Sequence, residues 1–479
     1  MSHTDIHRKS QEEHGEQTIF RVKKNDMRFI DLFAGLGGFH LALSRLGHEC
    51  VFASEIQPKL QKLYQLNFPH TPIAGDITKI KAEEIPPHEI LCGGFPCQPF
   101  SFSGKKQGFD DELGRGNLFD EICRILSCHH PRYIFLENVS ALPGHDGGRT
   151  WKVIQQKLDA LGYDIRSHIY SPHDFGIPQH RPRFYIVGIL RDEQGVSGMH
   201  KFHFVRPKKD VVSDVRTIVD MTDHDRVQPV RQGLHPVFDA WQEFVYNVTR
   251  RDGYMPSHCI FTMEFGADYE FEDTPPAFQP LERLRGRRGA YGKVLEGATR
   301  EELVADLPFY MQKTKYEETY PEFKKVLIRQ NRDLYQRHKD WIDPWLKKIR
   351  KFPRTQRMLE WSTNQDWDFR HHVIQLRPSG IRVRSMNYVP TITLCTTATP
   401  ILPFVPYPPD GAVDKKGHPY TLDDFRWGRY ISHNEAARIQ SMQELNYGNL
   451  SRVQKFKALG NAVNVDVVEI IARRLFTCK

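Results

Sequence analysis

Between residues 28 and 190 short apolar runs alternate with longer amphipathic ones, a rhythm that βαβ units produce and that commits the chain to a mostly parallel sheet. RFIDLF (28–33), CVFAS (50–54), EILCGG (89–94), RYIFLEN (132–138) and RFYIVGI (183–189) have the length and apolar content of buried strands. FHLALSRLG, PKLQKLYQLNF, NLFDEICRIL and TWKVIQQKLDALG carry apolar residues at helical spacing between them, the first ending near Gly47. Together they predict a doubly wound α/β fold. At 479 residues the chain exceeds what one hydrophobic core usually supports, so a second unit is expected.

After about residue 192 the rhythm stops. The following stretch is irregular, rich in proline and aromatics, and then strongly charged: residues 321–358 hold twelve basic side chains against four acidic ones, with Phe323, Tyr335, Trp341, Trp345 and Phe352 interleaved. That pattern fits a phosphate-contacting surface and equally a solvated helix whose apolar side is buried. RLRGRRG (283–289) reads as an arginine-rich loop. FRHHVIQLRPSGIRVRSMNYVPTITL (369–394) reads as a hinge between the two units. Near the end, SHNEAARIQSM opens with a capping box and VDVVEIIARRLF is an amphipathic helix. The predicted division is 1–26 as a flexible polar lead, 27–192 as the rhythmic α/β unit, 193–371 as an insertion, and 372–479 as hinge and completion of the first unit.

Composition excludes more than it assigns. Eight cysteines without a CxxC pair argue against a disulfide framework, and Cys123 and Cys128 lie five apart on a predicted helix, facing different ways, so no metal site is expected. No run approaches the roughly 18 apolar residues of a membrane span, and the polar opening MSHTDIHRKSQEEHGEQ lacks the apolar core of a secretory signal, which points to the cytoplasm. A net charge of +8 is compatible with a polyanionic partner without requiring one.

Five short motifs sit where such a fold places chemistry. FAGLGG (33–38) follows the first strand, and its glycines let backbone approach a ligand; Glu55, ending the second strand, can hold two ribose hydroxyls. The GxGG spacing differs from the GxGxxG of dinucleotide binders and favours another adenosine-containing ligand. Asp76 in GDIT suits an adenine amino group. GGFPCQPFS (93–101) mounts Cys97 between Pro96 and Gln98 at the carboxyl edge of the sheet. ENV (137–139) puts Glu137 after an apolar strand, where desolvation raises its pKa. QHRPR (179–183) supplies Arg181 and Arg183, of which at most one is expected to face the site. GNAV (460–463) is the fifth.

In this order and spacing the motifs, with the Glu55 strand end, resemble those of the DNA cytosine-5 methyltransferases, bacterial type, over roughly 27–192 and 372–479. The resemblance implies S-adenosylmethionine-dependent methylation of C5 of a flipped cytosine in double-stranded DNA. C5 is a poor nucleophile until a thiolate adds at C6, and the resemblance gives that role to Cys97. It implies that Glu137 donates at N3 while Arg181 supports the base carbonyl, with Arg183 in the same motif. For the cofactor it places Phe33 against adenine and Gly35 and Gly37 near the methionine part. Glu55 with Ile56 would hold the ribose, Asp76 with Ile77 the adenine edge, and Leu118, Asn461 and Val463 would close the pocket. The final helix is then expected beside the first strand; 27–192 is expected to be the catalytic and cofactor-binding domain and 193–371 the target-recognition domain, with RLRGRRG (283–289) a candidate DNA-contacting loop or an ordinary surface loop. An RNA cytosine-5 methyltransferase is the nearest alternative; the long middle region favours duplex DNA. A nicotinamide oxidoreductase is disfavoured by the glycine spacing and the PCQ loop. The expected setting is a monomer in the bacterial cytoplasm, at the nucleoid in use, protecting DNA beside a separate restriction endonuclease.

Overall fold

The computed structural model describes residues 26–96, 118–208, 210–221, 227–312, 320–363, 366–392, 399–414 and 416–478. Cys97, the PCQPFS loop after it and nearly all of the polar lead lie outside the described residues.

The first apolar run forms β1 (Arg28–Leu32), which pairs in parallel with β2 (Glu49–Ser54) on one side. Between them runs α1 (Gly38–Arg45); α2 (Pro58–Asn67) then leads to the short edge strand β3 (Ile73–Ala74). On the other side of β1 lie β4 (Ile90–Gly94) and β5 (Tyr133–Val139), both parallel to it, connected through α3 (Leu118–His129). After α4 (Arg149–Ala160) come β6 (Tyr163–Tyr170), the two-residue β7 (Gln179–His180) and β8 (Arg183–Leu190). The sheet order is β3-β2-β1-β4-β5-β8-β6, with β8 antiparallel to both of its neighbours. It is therefore the mostly parallel α/β sheet that the sequence rhythm predicts. β6 is a strand that the apolar pattern does not predict: YDIRSHIY is mostly polar because it forms a partly exposed edge, so it lacks the apolar run of a buried strand.

Alternate side chains of these strands feed two cores, as the pleat requires. Phe29, Ile90, Cys92 and Phe135 pack on one face; Ile30, Leu91, Ile134 and Leu136 pack on the other, against α3 and α4. The first face is completed from the far end of the chain by α9 (His433–Arg438), α10 (Arg452–Asn461) and α11 (Val465–Leu475). α9 opens with the expected capping box, Ser432 and Glu435 each bonding the other's backbone N–H. α11 lies against α1, where Arg45 reaches Asp466 at 2.9 Å and Glu444 at 2.9 Å.

A second core gathers around α5 (His235–Asp252) and the 28-residue α8 (Glu322–Ile349), where Trp241 meets Phe244 and Trp345 edge to face. The short β9 (Ile260–Phe261), α6 (Leu281–Leu284) and α7 (Arg300–Ala305) precede α8. After it come β10 (Met358–Ser362), β11 (Val373–Arg377), β12 (Gly380–Arg384), β13 (Val389–Pro390), β14 (Ile401–Leu402) and β15 (Arg429–Tyr430). All but β13 form a second sheet, in the order β15-β14-β11-β12-β10-β9; β13 pairs with β7 and ties that sheet to the first unit.

The predicted boundaries at 193 and 371 differ from this packing. Met199, Phe202, Val215 and Ile218 belong to the first core, whereas Ile374, Ile381, Val383, Ile401 and Trp427 belong to the second. The stretch read as a hinge holds a β-hairpin at the centre of the second sheet. Its turn needs Gly380, at φ +121° and with the Met358 carbonyl 2.8 Å from where a Cβ would sit. The basic stretch resolves as a packing helix: Ile328, Leu334, Ile342 and Ile349 are buried, while Arg329 pairs with Glu272 (2.7 Å), Arg332 with Glu264 (3.0 Å) and Lys348 with Glu243 (2.8 Å). RLRGRRG is likewise tied down, with Arg287 on Glu270 (2.6 Å) and Arg285 donating to the Gly297 carbonyl (3.0 Å).

Candidate active site

The chain leaves β1 through a left-handed turn at Phe33 (φ +58°), Gly35 (φ +56°) and Gly37 (φ +80°), which carries it into α1. At Gly37 a Cβ would sit 2.4 Å from the Phe68 ring, and at Gly38 one would sit 2.6 Å from Val463. These two glycines are required by packing. Gly35 is different: a Cβ there would meet only the Phe33 carbonyl, at 4.0 Å, so its face is open to a ligand. Beneath it, Glu55 accepts the N–H groups of Gly35 and Gln57, both at 2.9 Å. Burial raises the Glu55 pKa, and these two N–H groups oppose the rise.

Ile56, beside Glu55, is 66% exposed, an apolar side chain without cover at the mouth of this cradle. Asp76 caps the following turn, accepting from the Thr78 N–H (3.1 Å) and hydroxyl (2.8 Å). The side chain of Ile77 is buried in the α3-side core, so only its backbone can line a pocket, and Leu118 is half-buried in the same core. Asn461 is exposed at the end of α10, and Val463 packs between Gly38 and Gly94. An open glycine face, a buried carboxylate and an uncovered aliphatic side chain fit the adenosine and amino-acid parts of a cofactor such as S-adenosylmethionine.

The acid of ENV lies on β5. Glu137 is in register with Gly94 of β4, three residues before Cys97, and is buried. Burial raises its pKa, while the Arg183 and Arg181 cations pull it back. Arg183 Nε lies 3.0 Å from Glu137 Oε1. Arg181, only 2% exposed, is used otherwise: it donates to the carbonyls of Gly460 (2.9 Å) and Ala462 (2.8 Å), clamping the GNAV segment. Burial pushes its pKa down to about 9. Of the two arginines, it is Arg183 that contacts the acid. Pro182 has no N–H and interrupts the strand between the two arginines, so they part toward different partners.

One polar group carries no motif in the sequence. Asp31, in the middle of β1, is 1% exposed and accepts the His40 N–H at 3.3 Å; desolvation pushes its pKa up to about 8. His40 stacks on Phe68 at 3.7 Å, and its Nδ1 lies 2.6 Å from Tyr64 Oη. The signal that could have found it is a lone acid inside the otherwise apolar RFIDLF. Among the described residues no group of three or more His, Cys, Asp or Glu could hold a metal ion. A separate cleft of about 1330 Å³ opens between the β11–β12 hairpin and the start of α10, lined by Arg231, Arg377, Lys416 and Arg452 among others.

Residues 27–251 match the family model of the C-5 cytosine-specific DNA methylases. The type II methyltransferase M.DsaV of Dactylococcopsis salina is 49% identical over 167 residues, 35% of this chain and 47% of that protein. M.HaeII of Haemophilus aegyptius is 37% identical over 260 residues, 51% of this chain and 76% of that protein. M.AluI of Cellulosimicrobium cellulans is 29% identical over 518 residues, covering 93% of this chain and 91% of its own. The chain spans about half the length of several of these curated relatives, M.DsaV among them. With an open glycine cradle above a buried carboxylate, a buried acid paired with an arginine, and relatives matched at this identity, the chain belongs to the C-5 cytosine-specific DNA methylases.

Proposed function

We propose that the protein transfers a methyl group from S-adenosylmethionine to C5 of a cytosine flipped out of duplex DNA, with Cys97 as the covalent nucleophile. The observation that carries this reading is Glu137: a buried acid whose pKa burial raises, held by Arg183, in register with the strand that leads to Cys97.

The Cys97 thiolate adds to C6 of the base, forming a C–S bond and breaking ring aromaticity. The charge that develops is met at N3 by the proton of Glu137, whose pKa burial raises. Arg183 then stabilises the carboxylate left behind. C5, now enamine-like, takes the methyl group. Return of the N3 proton to the Glu137 carboxylate, loss of the C5 proton to a base and expulsion of Cys97 restore the aromatic ring, the acid and the free thiolate. Bound S-adenosylmethionine supplies an electrophilic methyl group. Gly35 would leave room for it, Glu55 would accept its ribose hydroxyls, and Asp76 would take its adenine amino group. Arg181 keeps the GNAV segment against this pocket. In the cell the product protects DNA against a separate restriction endonuclease.

Duplex DNA with 5-fluorocytosine at the target tests the chemistry, because a fluorine at C5 cannot leave as a proton does. Incubation with S-adenosylmethionine is expected to give a stable protein–DNA adduct with the native chain and none with Cys97→Ser. An enzyme active on ordinary DNA that forms no adduct would sink the covalent mechanism.

A further inference from the structure

Residues 388–392, which lead out of the second sheet, touch the first unit in three ways. Val389 and Pro390 pair with Gln179 and His180, and the Thr391 hydroxyl donates to the His180 carbonyl at 2.9 Å. The Tyr388 ring meets two imidazoles of the first unit, His173 at 5.0 Å and His180 at 5.3 Å, which lie 5.1 Å from each other. Such separations are those of favourable ring pairs, and three of them fix an orientation that a two-residue ladder leaves loose. Ile392 then meets the GNAV segment, where a Cβ at Gly460 would sit 2.9 Å from the Ile392 carbonyl oxygen. From the rings a chain of hydrogen bonds runs to the same segment. Ser171 Oγ donates to the Gln179 carbonyl (3.3 Å) and accepts the Arg181 N–H (2.8 Å). With its one proton so placed it meets His173 Nδ1, 2.8 Å away, as an acceptor, so the imidazole donates. Arg181 in turn holds the Gly460 and Ala462 carbonyls.

We propose that Tyr388 and His173 are positioning residues for the cofactor: the three-ring joint sets the pose of the second unit and the Arg181 grip on GNAV together, so that loosening the joint loosens the cofactor pocket. The cofactor part rests on the reading above, in which GNAV closes that pocket. Two features of the packing support the link. The Tyr388 ring is itself held from the second unit, with the Arg384 guanidinium 5.9 Å from its centre, so it moves with the sheet that carries it. At Gly460 the two backbones leave no room for a side chain, so a shift of Ile392 is passed on to GNAV rather than absorbed. The second unit thereby acts on the cradle of Gly35 and Glu55 from a distance.

Hydrogen exchange of the full-length chain without ligand tests the joint itself. The amides of Ala462 and Val465, held by the Ala458 and Gln440 carbonyls, report on GNAV. Tyr388→Ala is expected to speed their exchange by roughly 2- to 30-fold and to weaken S-adenosylhomocysteine binding by a similar factor in calorimetry. The KM for S-adenosylmethionine rises with it, while kcat at saturating cofactor stays close to native. Tyr388→Phe keeps the ring and restores all three. Ser171→Ala cuts the same route at its midpoint, so combining it with Tyr388→Ala gives less than the sum of the two effects on a logarithmic scale. Tyr246→Ala, at an exposed position of α5, leaves every readout unchanged. Unchanged exchange at both amides in Tyr388→Ala overturns the proposal, as does a Tyr388→Phe variant as impaired as Tyr388→Ala. Full additivity with Ser171→Ala overturns the route, and faster exchange with native S-adenosylhomocysteine affinity overturns the link to the cofactor. A native chain that does not bind S-adenosylhomocysteine counts against the methylation reading, and the exchange series still decides the joint.

Discussion

Glu137 stands between opposing influences, burial raising its pKa and two guanidinium groups lowering it. Removing Arg183 takes away the larger of the lowering charges, so in Arg183→Ala the acid holds its proton to higher pH. The limb of the methylation rate that falls as Glu137 ionises is expected to move upward in a kcat/KM pH profile. Glu137→Ala is expected to lower kcat by roughly 10²- to 10⁴-fold, the usual contribution of a positioned acid, with cofactor affinity retained. Asp31 offers a second test at this scale. Its native pKa of about 8 lies above the ordinary 3.8, so the folded chain keeps a proton that the unfolded chain releases. Stability is then fully present below the unfolded value and falls as pH rises from about 4 toward 8, by at most about 1.4 kcal/mol per pH unit. Asp31→Asn keeps the acceptor for the His40 N–H and is expected to flatten that dependence in urea titrations below and above pH 8. A native profile that is already flat would count against it.

α11 is the element on which the two ends of the chain depend. Ile471 is buried in the core shared with α1, and Val463, just before α11, packs against the glycine turn at Gly38. Ile471→Ala is expected to cost about 2–5 kcal/mol in urea unfolding. It is also expected to weaken S-adenosylhomocysteine binding, because the GNAV segment loses its backing. Legibility in the sequence differs from element to element. Strands buried on both faces, such as β4 and β5, announce themselves as apolar runs, and the Ser432–Glu435 box announces α9. β6 and the β11–β12 hairpin do not, since an edge strand and an arginine-bearing face resemble polar connections until their hydrogen-bonding partners are known.

The molecule has two groups of cores, one on the parallel sheet and one around Trp241 and Trp345, joined by β13 pairing with β7. Two calorimetric transitions are therefore expected. Trp241→Ala, at a fully buried position, is expected to lower one of them by about 3–5 kcal/mol and leave the other nearly unchanged. A single transition that shifts as a whole would show that the cores unfold together. The sequence alone determined the sheet class, the order of the motifs and the residue types of the site, because period-2 and period-3.6 patterns and glycine turns are local properties of the chain. Only the tertiary structure decided which arginine meets Glu137, that Arg181 clamps a segment some 280 residues away, and where the two units divide. Those outcomes depend on strand register and on packing between distant segments, which no local pattern encodes.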